Sequence, residues 1–378
     1  MPVAVAERQC DATFESFDEN QLFIFIMKVA YILPHLGVAG GIERITTDLS
    51  NFFVSQGVEV KIVSLSSKEG MPFEIDKRVD VMHLGLKIRS RLDLNHCVRQ
   101  AILVCSDADI IIGSHVYINS LLILNKHLVK GKVVVTQHDN CDALSRLRLA
   151  TNVVLYRFAD SFVTLSQVDS SFYKRFLVKN IVIPNGTRIS RRYSWNPESR
   201  TLIAIGRLCE IKGFDTLIAA FSIVHNQYPD WKLNIFGGTF DRDYRGKLEA
   251  MILSKGLENI VELKGVSSNI EHELESSAGY VLSSRSESFS LTIIEALSKG
   301  LPVVSTDIPA VQSIYGKAGI IYCRRTDVQS MATAIIKLIS SQQLMKVKSK
   351  EAFDQSLRFQ LEMVGQQWLQ LFNHLCRK

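Results

Sequence analysis

The chain has 378 residues, 47% of them hydrophobic and 22% charged, a globular composition in a length beyond one ordinary core. No apolar run reaches the ~20 residues needed to cross a bilayer; the longest, Leu22 to Leu33, is short and carries Lys28. Seven cysteines stand singly, with no Cys-x-x-Cys pair, a pattern that fits a reducing compartment and argues against a zinc site. The net charge of +6 is uneven: Leu86 to Arg192 holds 16 Lys and Arg against seven Asp and Glu, an excess of nine, so the remainder stands at −3.

Residues 1–26 read as an N-terminal extension. Met1 to Gln21 is polar and lacks a positive stretch ahead of an apolar core, so it is no secretory signal. The extension is a disordered segment, the product of an upstream start ahead of a natural beginning at Met27, or, through Phe23 to Ile26, an amphipathic anchor. From Met27 onward short β-branched runs alternate with helical patterns, the mark of βαβ units whose parallel sheets are buried on both faces. Strands are predicted near Val29–Leu33, Val58–Leu65, Asp80–Leu84, Asp109–Gly113, Lys132–Thr136, Ser161–Leu165 and Ile181–Pro184, with helices between them, for example Ile42–Ser55 and Cys141–Phe158. Thr187 to Arg200 has no apolar period and contains Asn196-Pro197, so it reads as a linker. Strands then resume near Leu202–Gly206, Lys232–Phe236, Val261–Lys264, Tyr280–Ser283, Pro302–Ser305 and Gly319–Tyr322, and a helical tail follows. The expected organisation is an extension at 1–26, a doubly wound α/β domain at 27–187, a linker at 188–200, a second such domain at 201–357 and a final helix at 358–378. Two doubly wound, Rossmann-like domains facing each other place a ligand cleft at the carboxyl ends of their strands.

The candidate chemistry lies just after predicted strands. The loop Pro34 to Gly41 ends in Gly40-Gly41 and feeds a helix beginning Ile42-Glu43-Arg44, which suits close backbone approach by a phosphate or sugar. It is not the dinucleotide fingerprint, because Ala39 and Ile42 stand where glycines are needed. His115 and His138 follow strands, and Asp139 is a partner for His138 or a helix cap. In the second half Arg207 and Lys212, beside Gly206 and Gly213, are two cations five positions apart, able to flank a diphosphate. Gly237-Gly238-Thr239 supplies another close-approach turn. Glu287 and Glu295 lie eight positions apart across a loop-to-helix junction. On one unbroken helix they would be about 12 Å apart along the axis, too far to share one proton or metal, so they are expected to grip two ends of one ligand. Ser288 and Ser290 are expected to cap that helix, whose free N–H groups suit a diphosphate. Asp107-Ala108-Asp109 and Asp241-Arg242-Asp243 have the Asp-x-Asp form of some metal sites but read better as a strand lead-in and a helix start.

Gly40-Gly41, His138, Gly206-Arg207 with Lys212-Gly213, and the E-S-F-S-L-T-I-I-E-A-L run from Glu287 resemble the family 4 retaining glycosyltransferases of GT-B fold, bacterial surface-polysaccharide type, from about Met27 to the end. The resemblance implies a catalytic set of Glu287, His138, Arg207 and Lys212. Within it, Glu287 contacts the transferred sugar, His138 lies near the sugar and the attacking hydroxyl, and the two cations hold the diphosphate. It implies a donor site of Gly40, Gly41, Gly206, Arg207, Lys212, Gly237, the amides of Ser290, Leu291 and Thr292, and Glu295 on the ribose. The family often has Gly where this chain has Ser288 and Ser290, which leaves the identity of the donor open. No cofactor or metal is implied beyond the nucleotide-diphosphate sugar as co-substrate. The implied partners are a saccharide or lipid-linked saccharide acceptor and, from the basic first half, peripheral contact with an anionic membrane at the inner, cytoplasmic face. Nothing supports nucleic acid, since finger, helix-turn-helix and interleaved aromatic patterns are missing. A nucleotide-sugar epimerase of the same fold and a non-catalytic partner subunit are the competing readings. A glycoside hydrolase fits less well, because its carboxyl groups lie about 5–10 Å apart around one bond.

Overall fold

The computed structural model describes residues 27–377 except 38–39, 68–69, 71, 140, 142–143 and 189–192. The expectations for residues 1–26 therefore lie outside the described residues. Apolar runs rich in Val and Ile form the central strands, which are covered on both faces, and more polar runs form the sheet edges. In the first sheet these are β1 (Lys28–Leu33), β2 (Glu59–Ser64), β3 (Asp80–His83), β4 (Ile110–Gly113), β5 (Lys132–Gln137), β6 (Ser161–Thr164) and β7 (Ile181–Val182). Every pairing is parallel and the order is β3-β2-β1-β4-β5-β6-β7. The second sheet holds β8 (Thr201–Ile205), β9 (Lys232–Phe236), β10 (Val261–Gly265), β11 (Gly279–Leu282), β12 (Val303–Thr306) and β13 (Ile320–Cys323), all parallel, in the order β10-β9-β8-β11-β12-β13. Two parallel, Rossmann-like α/β sheets result, as the alternation of runs predicted.

The crossover helices of the first half are α1 (Gly41–Ser55), α2 (Arg91–Val104), α3 (Val116–Leu124), α4 (Arg146–Leu155) and α5 (Gln167–Lys174). The second half has α6 (Phe214–Gln227), α7 (Arg242–Ser254), α8 (Ile270–Glu275), α9 (Leu291–Ser298), α10 (Pro309–Tyr315), α11 (Val328–Ile339), α12 (Gln342–Ser356) and α13 (Leu361–Cys376). The helix expected over Cys141–Phe158 begins later, at Arg146, because Ser145 takes the extended N-cap conformation and its hydroxyl accepts the Arg148 N–H. Among the described residues no helix is long and apolar enough to cross a membrane.

The period-two pattern of β1 divides its side chains between two cores. Ala30 and Ile32 face a cluster with Tyr156, Phe162 and Tyr173, while Val29, Tyr31 and Leu33 face Leu49, Phe52 and Phe53 of α1 and Trp368 and Phe372 of α13. The chain's last helix thus completes the core of its first sheet. Phe372 is fully buried, edge-on to Phe53 at 5.2 Å and tilted to Trp368 at 5.7 Å, contacts that each add about 1 kcal/mol to the burial itself. Where the chain crosses between sheets and where it returns, Thr187 and Gln360 form a parallel bridge. Thr187 N–H donates to Phe359 O at 3.1 Å, and Leu361 N–H donates to Thr187 O at 3.2 Å.

In each sheet the strand order reverses direction once, between β1 and β4 and between β8 and β11. Loops that leave neighbouring strands toward opposite faces part there, which opens a crevice at the strands' carboxyl ends. The glycine loop after β1, His115 after β4, Gly206 after β8 and the Ser283–Ser290 loop after β11 all lie at these two points.

Candidate functional site

On the second sheet, β8 delivers Gly206 and Arg207, and a 3₁₀ turn over Glu210–Lys212 lifts Lys212 back over the strand end. The stem of Lys212 lies against Gly206, where an added Cβ would meet its Cδ at 3.2 Å. The turn closes on Gly213, whose φ of +63° and 2.3 Å clearance between a would-be Cβ and Ser283 O admit no side chain. Lys212 Nζ donates to Glu287 Oε1 at 2.6 Å, and Ser284 Oγ donates to the same oxygen at 2.7 Å. Both charged side chains are largely buried, at 20% and 11% exposure, so the pair is little screened. Behind it Asp215 takes Arg285 Nη2 at 2.8 Å, Tyr244 Oη at 3.1 Å and Lys247 Nζ at 3.2 Å. Burial alone would raise the Asp215 carboxyl, but Arg285 and these hydrogen bonds hold it below the usual range. Gly237 sits so close to Gly206 O that a Cβ would lie 1.8 Å away, which packs the β9 loop under the β8 loop. Arg207 is exposed and covers the Phe240 ring at 4.8 Å.

Glu287 lies in the loop before α9, and Glu295 lies within that helix. Ser290 occupies the N-cap position, but not as the sequence predicts. Its backbone is left-handed, φ +65° and ψ 83°, and its hydroxyl caps no backbone N–H; it sits 3.2 Å from Thr292 Oγ1. Ser288 does not occupy the cap position either. The left-handed turn is held by Tyr315 Oη donating to Ser290 O at 3.1 Å, with Thr292 Oγ1 in turn 2.6 Å from Tyr280 Oη. Because no side chain fills the cap, the amides of Leu291 and Thr292 keep their donor capacity for a ligand. Glu295 is buried, which raises its carboxyl, and the nearby Arg44 guanidinium partly offsets this.

The first sheet contributes the start of α1. Gly40 is the N-cap residue, extended at φ −116°, and Gly41 opens the helix, with Leu291 Cδ1 3.5 Å from where its Cβ would stand. The next two charged residues turn in different directions. Glu43 folds back over Gly40, 3.1 Å from His35 Nδ1, with Arg207 in its electrostatic neighbourhood; burial raises its carboxyl. Arg44 reaches across the cleft and its Nη1 donates to Glu295 Oε1. Neither residue is in the set predicted from sequence, which took the helix start only for its glycines. The available signal was a charged pair directly after Gly40-Gly41, at the end of a helix that faces the cleft.

His138 is carried at the end of β5 into a small cavity shared with Tyr31, Thr46, Ser114, Thr136, Leu165, Asn185 and Trp368. Burial, with His115 adding like charge, lowers its pKa to about 4, so it stands neutral at pH 7. His115 stacks on Tyr117 at 5.6 Å, and the Arg148 guanidinium covers that ring at 3.7 Å. Asp139 is exposed, and its carbonyl accepts Gln137 Nε2 at 2.9 Å. The Asp-x-Asp runs are structural in the two positions seen: Asp109 accepts the Lys28 N–H at 2.8 Å, and Asp241 caps α7 through the N–H groups of Asp243 and Tyr244. The structure thus joins Gly206, Lys212 and Glu287 in one contact chain and sets Leu291 and Glu295 of α9 against Gly41 and Arg44 of α1, while His138 lies between first-sheet residues and Trp368 of α13.

Two family profiles cover most of the chain in tandem: glycosyltransferase family 4 over residues 39–191 and glycosyl transferases group 1 over residues 186–355. An uncharacterized glycosyltransferase of Haemophilus influenzae is 23% identical across 90% of this chain and 98% of its own length. The amylovoran biosynthesis glycosyltransferase AmsD of Erwinia amylovora is 26% identical across 92% of this chain and 99% of its own. Among solved structures, Anabaena HepE in complex with UDP-glucose superposes with a TM-score of 0.77 at 20% identity, over 92% of this chain and all of that one. Paired doubly wound sheets, charged residues gathered at both switch points and two matching profiles lead to one conclusion: the chain belongs to the group 1, family 4 glycosyltransferases of GT-B fold.

Proposed function

We propose that the chain transfers a sugar from a nucleoside-diphosphate sugar to a hydroxyl of a saccharide acceptor, with retention of anomeric configuration, in the synthesis of a bacterial surface polysaccharide. The observation that carries the reading is the Lys212–Glu287 contact at the β8/β11 switch point, beside the uncapped start of α9 and opposite the Gly40-Gly41 turn. In this reading Glu295 holds the ribose hydroxyls, and Arg207, Lys212 and the amides of Ser290 to Thr292 hold the diphosphate. Glu287 meets the transferred sugar, and neutral His138 faces the sugar and the incoming hydroxyl. As the bond from the anomeric carbon to the diphosphate breaks and the bond to the acceptor oxygen forms, charge grows on the departing phosphate. Lys212, Arg207 and the helix start are aimed at that charge. Closing the two halves, 27–187 and 201–357, on the donor excludes water that would hydrolyse it.

The donor class draws support from the relatives whose complexes hold UDP with glucose, and the acceptor class from AmsD, a protein of amylovoran biosynthesis, and from TarM, whose complex holds α-GlcNAc-glycerol and UDP. A lipid-linked acceptor at the inner face of a membrane fits the basic first half. On that half Lys87, Arg89, Arg91 and Arg146 stand exposed beside exposed Ile88, Leu92, Tyr117 and Leu147, at the carboxyl end of the sheet.

The test is transfer by the purified protein from a panel of nucleotide sugars to a set of saccharide acceptors. Lys212→Ala and Glu287→Ala are expected to lower kcat by roughly 10²- to 10³-fold, as loss of a preorganised charge at a reacting centre does. Unchanged transfer by both variants overturns the reading, and isomerised donor formed without acceptor replaces it with an epimerase. Because removing one partner strands the other charge, the double variant Lys212→Met/Glu287→Gln serves as the folded control.

A further inference from the structure

The first turn of α1 sets a cation on the carboxylate assigned to the ribose, a deepening of the reading above that rests on the ribose assignment of Glu295. Arg44, at 30% side-chain exposure, donates to Glu295, at 11%. Its neighbour Glu43, at 7%, lies against the Gly40 turn with Arg207 in its field. A cation therefore covers the carboxylate meant for ribose, and a carboxylate packs over the Gly40 turn meant for close approach of the donor. Arg44 is on a helix that belongs to the opposite sheet, so its contact with Glu295 ties the two halves together. Arg44 also has a second acceptor within reach: Asp48 Oδ2 is 3.8 Å from its Nε, one turn along the same helix, in a side chain that is 12% exposed. Asp48 keeps Arg188 Nε at 3.9 Å as well, so it is already a site for guanidinium groups.

We propose that Arg44 is a stand-in that holds the free donor site, and that the nucleotide displaces it from Glu295 onto Asp48. Arg44 is then a residue that sets donor affinity by competition, and the Arg44–Glu295 tie is what draws α1 against α9 in the free protein. Binding must break that tie, so the apparent affinity for nucleotide is lower than the site's intrinsic affinity by the fraction of molecules in which the tie is open.

Calorimetric titration with UDP, GDP, ADP and dTDP tests this on the full chain at about pH 8, well above the ordinary carboxylate range. The proteins are the wild type, Arg44→Gln, Arg44→Lys, Glu295→Gln and the double variant Arg44→Gln/Glu295→Gln, with a thermal melt of each as the folding check. If the tie is formed in nine-tenths of free molecules, Arg44→Gln tightens the best nucleotide about tenfold. Arg44→Lys, which restores a cation, returns the affinity toward wild type. In the Glu295→Gln background the Arg44→Gln change alters affinity by no more than about twofold, since the competition has lost its target. Weaker or unchanged binding by Arg44→Gln, or an effect that persists without Glu295, overturns the inference while leaving the ribose assignment intact. Equal affinity of Arg44→Gln and the double variant, or no nucleotide binding by the wild type, overturns the assignment and the inference together.

Discussion

Gly365→Ala sets two physical effects against each other, and the structure decides the sign. Gly365 lies inside α13, where helix propensity alone favours alanine by about 1 kcal/mol. Its would-be Cβ, however, meets the Phe52 ring at 2.3, 2.3 and 2.8 Å, contacts that real Cβ atoms do not make. Phe52 is 7% exposed and edge-on to Phe53 at 5.8 Å, which is itself fully buried against Phe372, so the ring has no free volume to enter. Overpacking of this kind costs about 3 kcal/mol at the severe end, which leaves a net loss of about 2 kcal/mol and a fall in Tm of roughly 4–8 °C. A thermal scan of both proteins reads it directly. The variant also pushes on α1, which carries Gly40 and Gly41, so nucleotide affinity falls with stability. Shortening the ring in Phe52→Leu/Gly365→Ala recovers part of the loss. A Tm above wild type for Gly365→Ala would refute the reasoning, because it would mean that propensity outweighs the contact.

Two further outcomes are expected. Gly213→Ala, at φ +63° with 2.3 Å to Ser283 O, costs about 2 kcal/mol or more and displaces Lys212, so that a thermal melt and kcat/KM for the donor fall together. The neutral His138 makes stability depend on pH: its pKa is lowered in the folded state, so its contribution is complete above about pH 6.5 and is lost as pH falls toward about 4, by about 3 kcal/mol in all. Urea midpoints at intervals through that window should fall less steeply for His138→Asn than for the wild type; parallel slopes count against a buried neutral imidazole.

The strands were legible because a parallel sheet buried on both faces demands continuous β-branched runs, and those stand out against polar loops. The start of α4 was less so: apolar residues continue upstream of Arg146, and only the extended backbone of Ser145 fixes the boundary. Ser290 illustrates a different limit. A serine ahead of an apolar run predicts a side-chain cap, whereas the tertiary hydrogen bond from Tyr315 holds the residue left-handed with its hydroxyl turned to Thr292. The spacing of Glu287 and Glu295, and of Arg207 and Lys212, could be read locally because each set lies within one loop-helix unit. Arg44 could not, since its partner lies 251 positions away and only the approach of α1 to α9 brings them together.

The last helix also sets a timetable. A chain made from its N-terminus has emitted every strand of the first sheet by Val182, yet Leu361, Val364, Trp368, Phe372 and Leu375, which cover one face of that sheet, are still unmade. At about 5–20 residues per second the wait is on the order of ten to forty seconds. For that time the nascent first half exposes an apolar surface that nothing of its own can close. Its native core forms only after α13 has been made, so the half made first waits on residues made long after it.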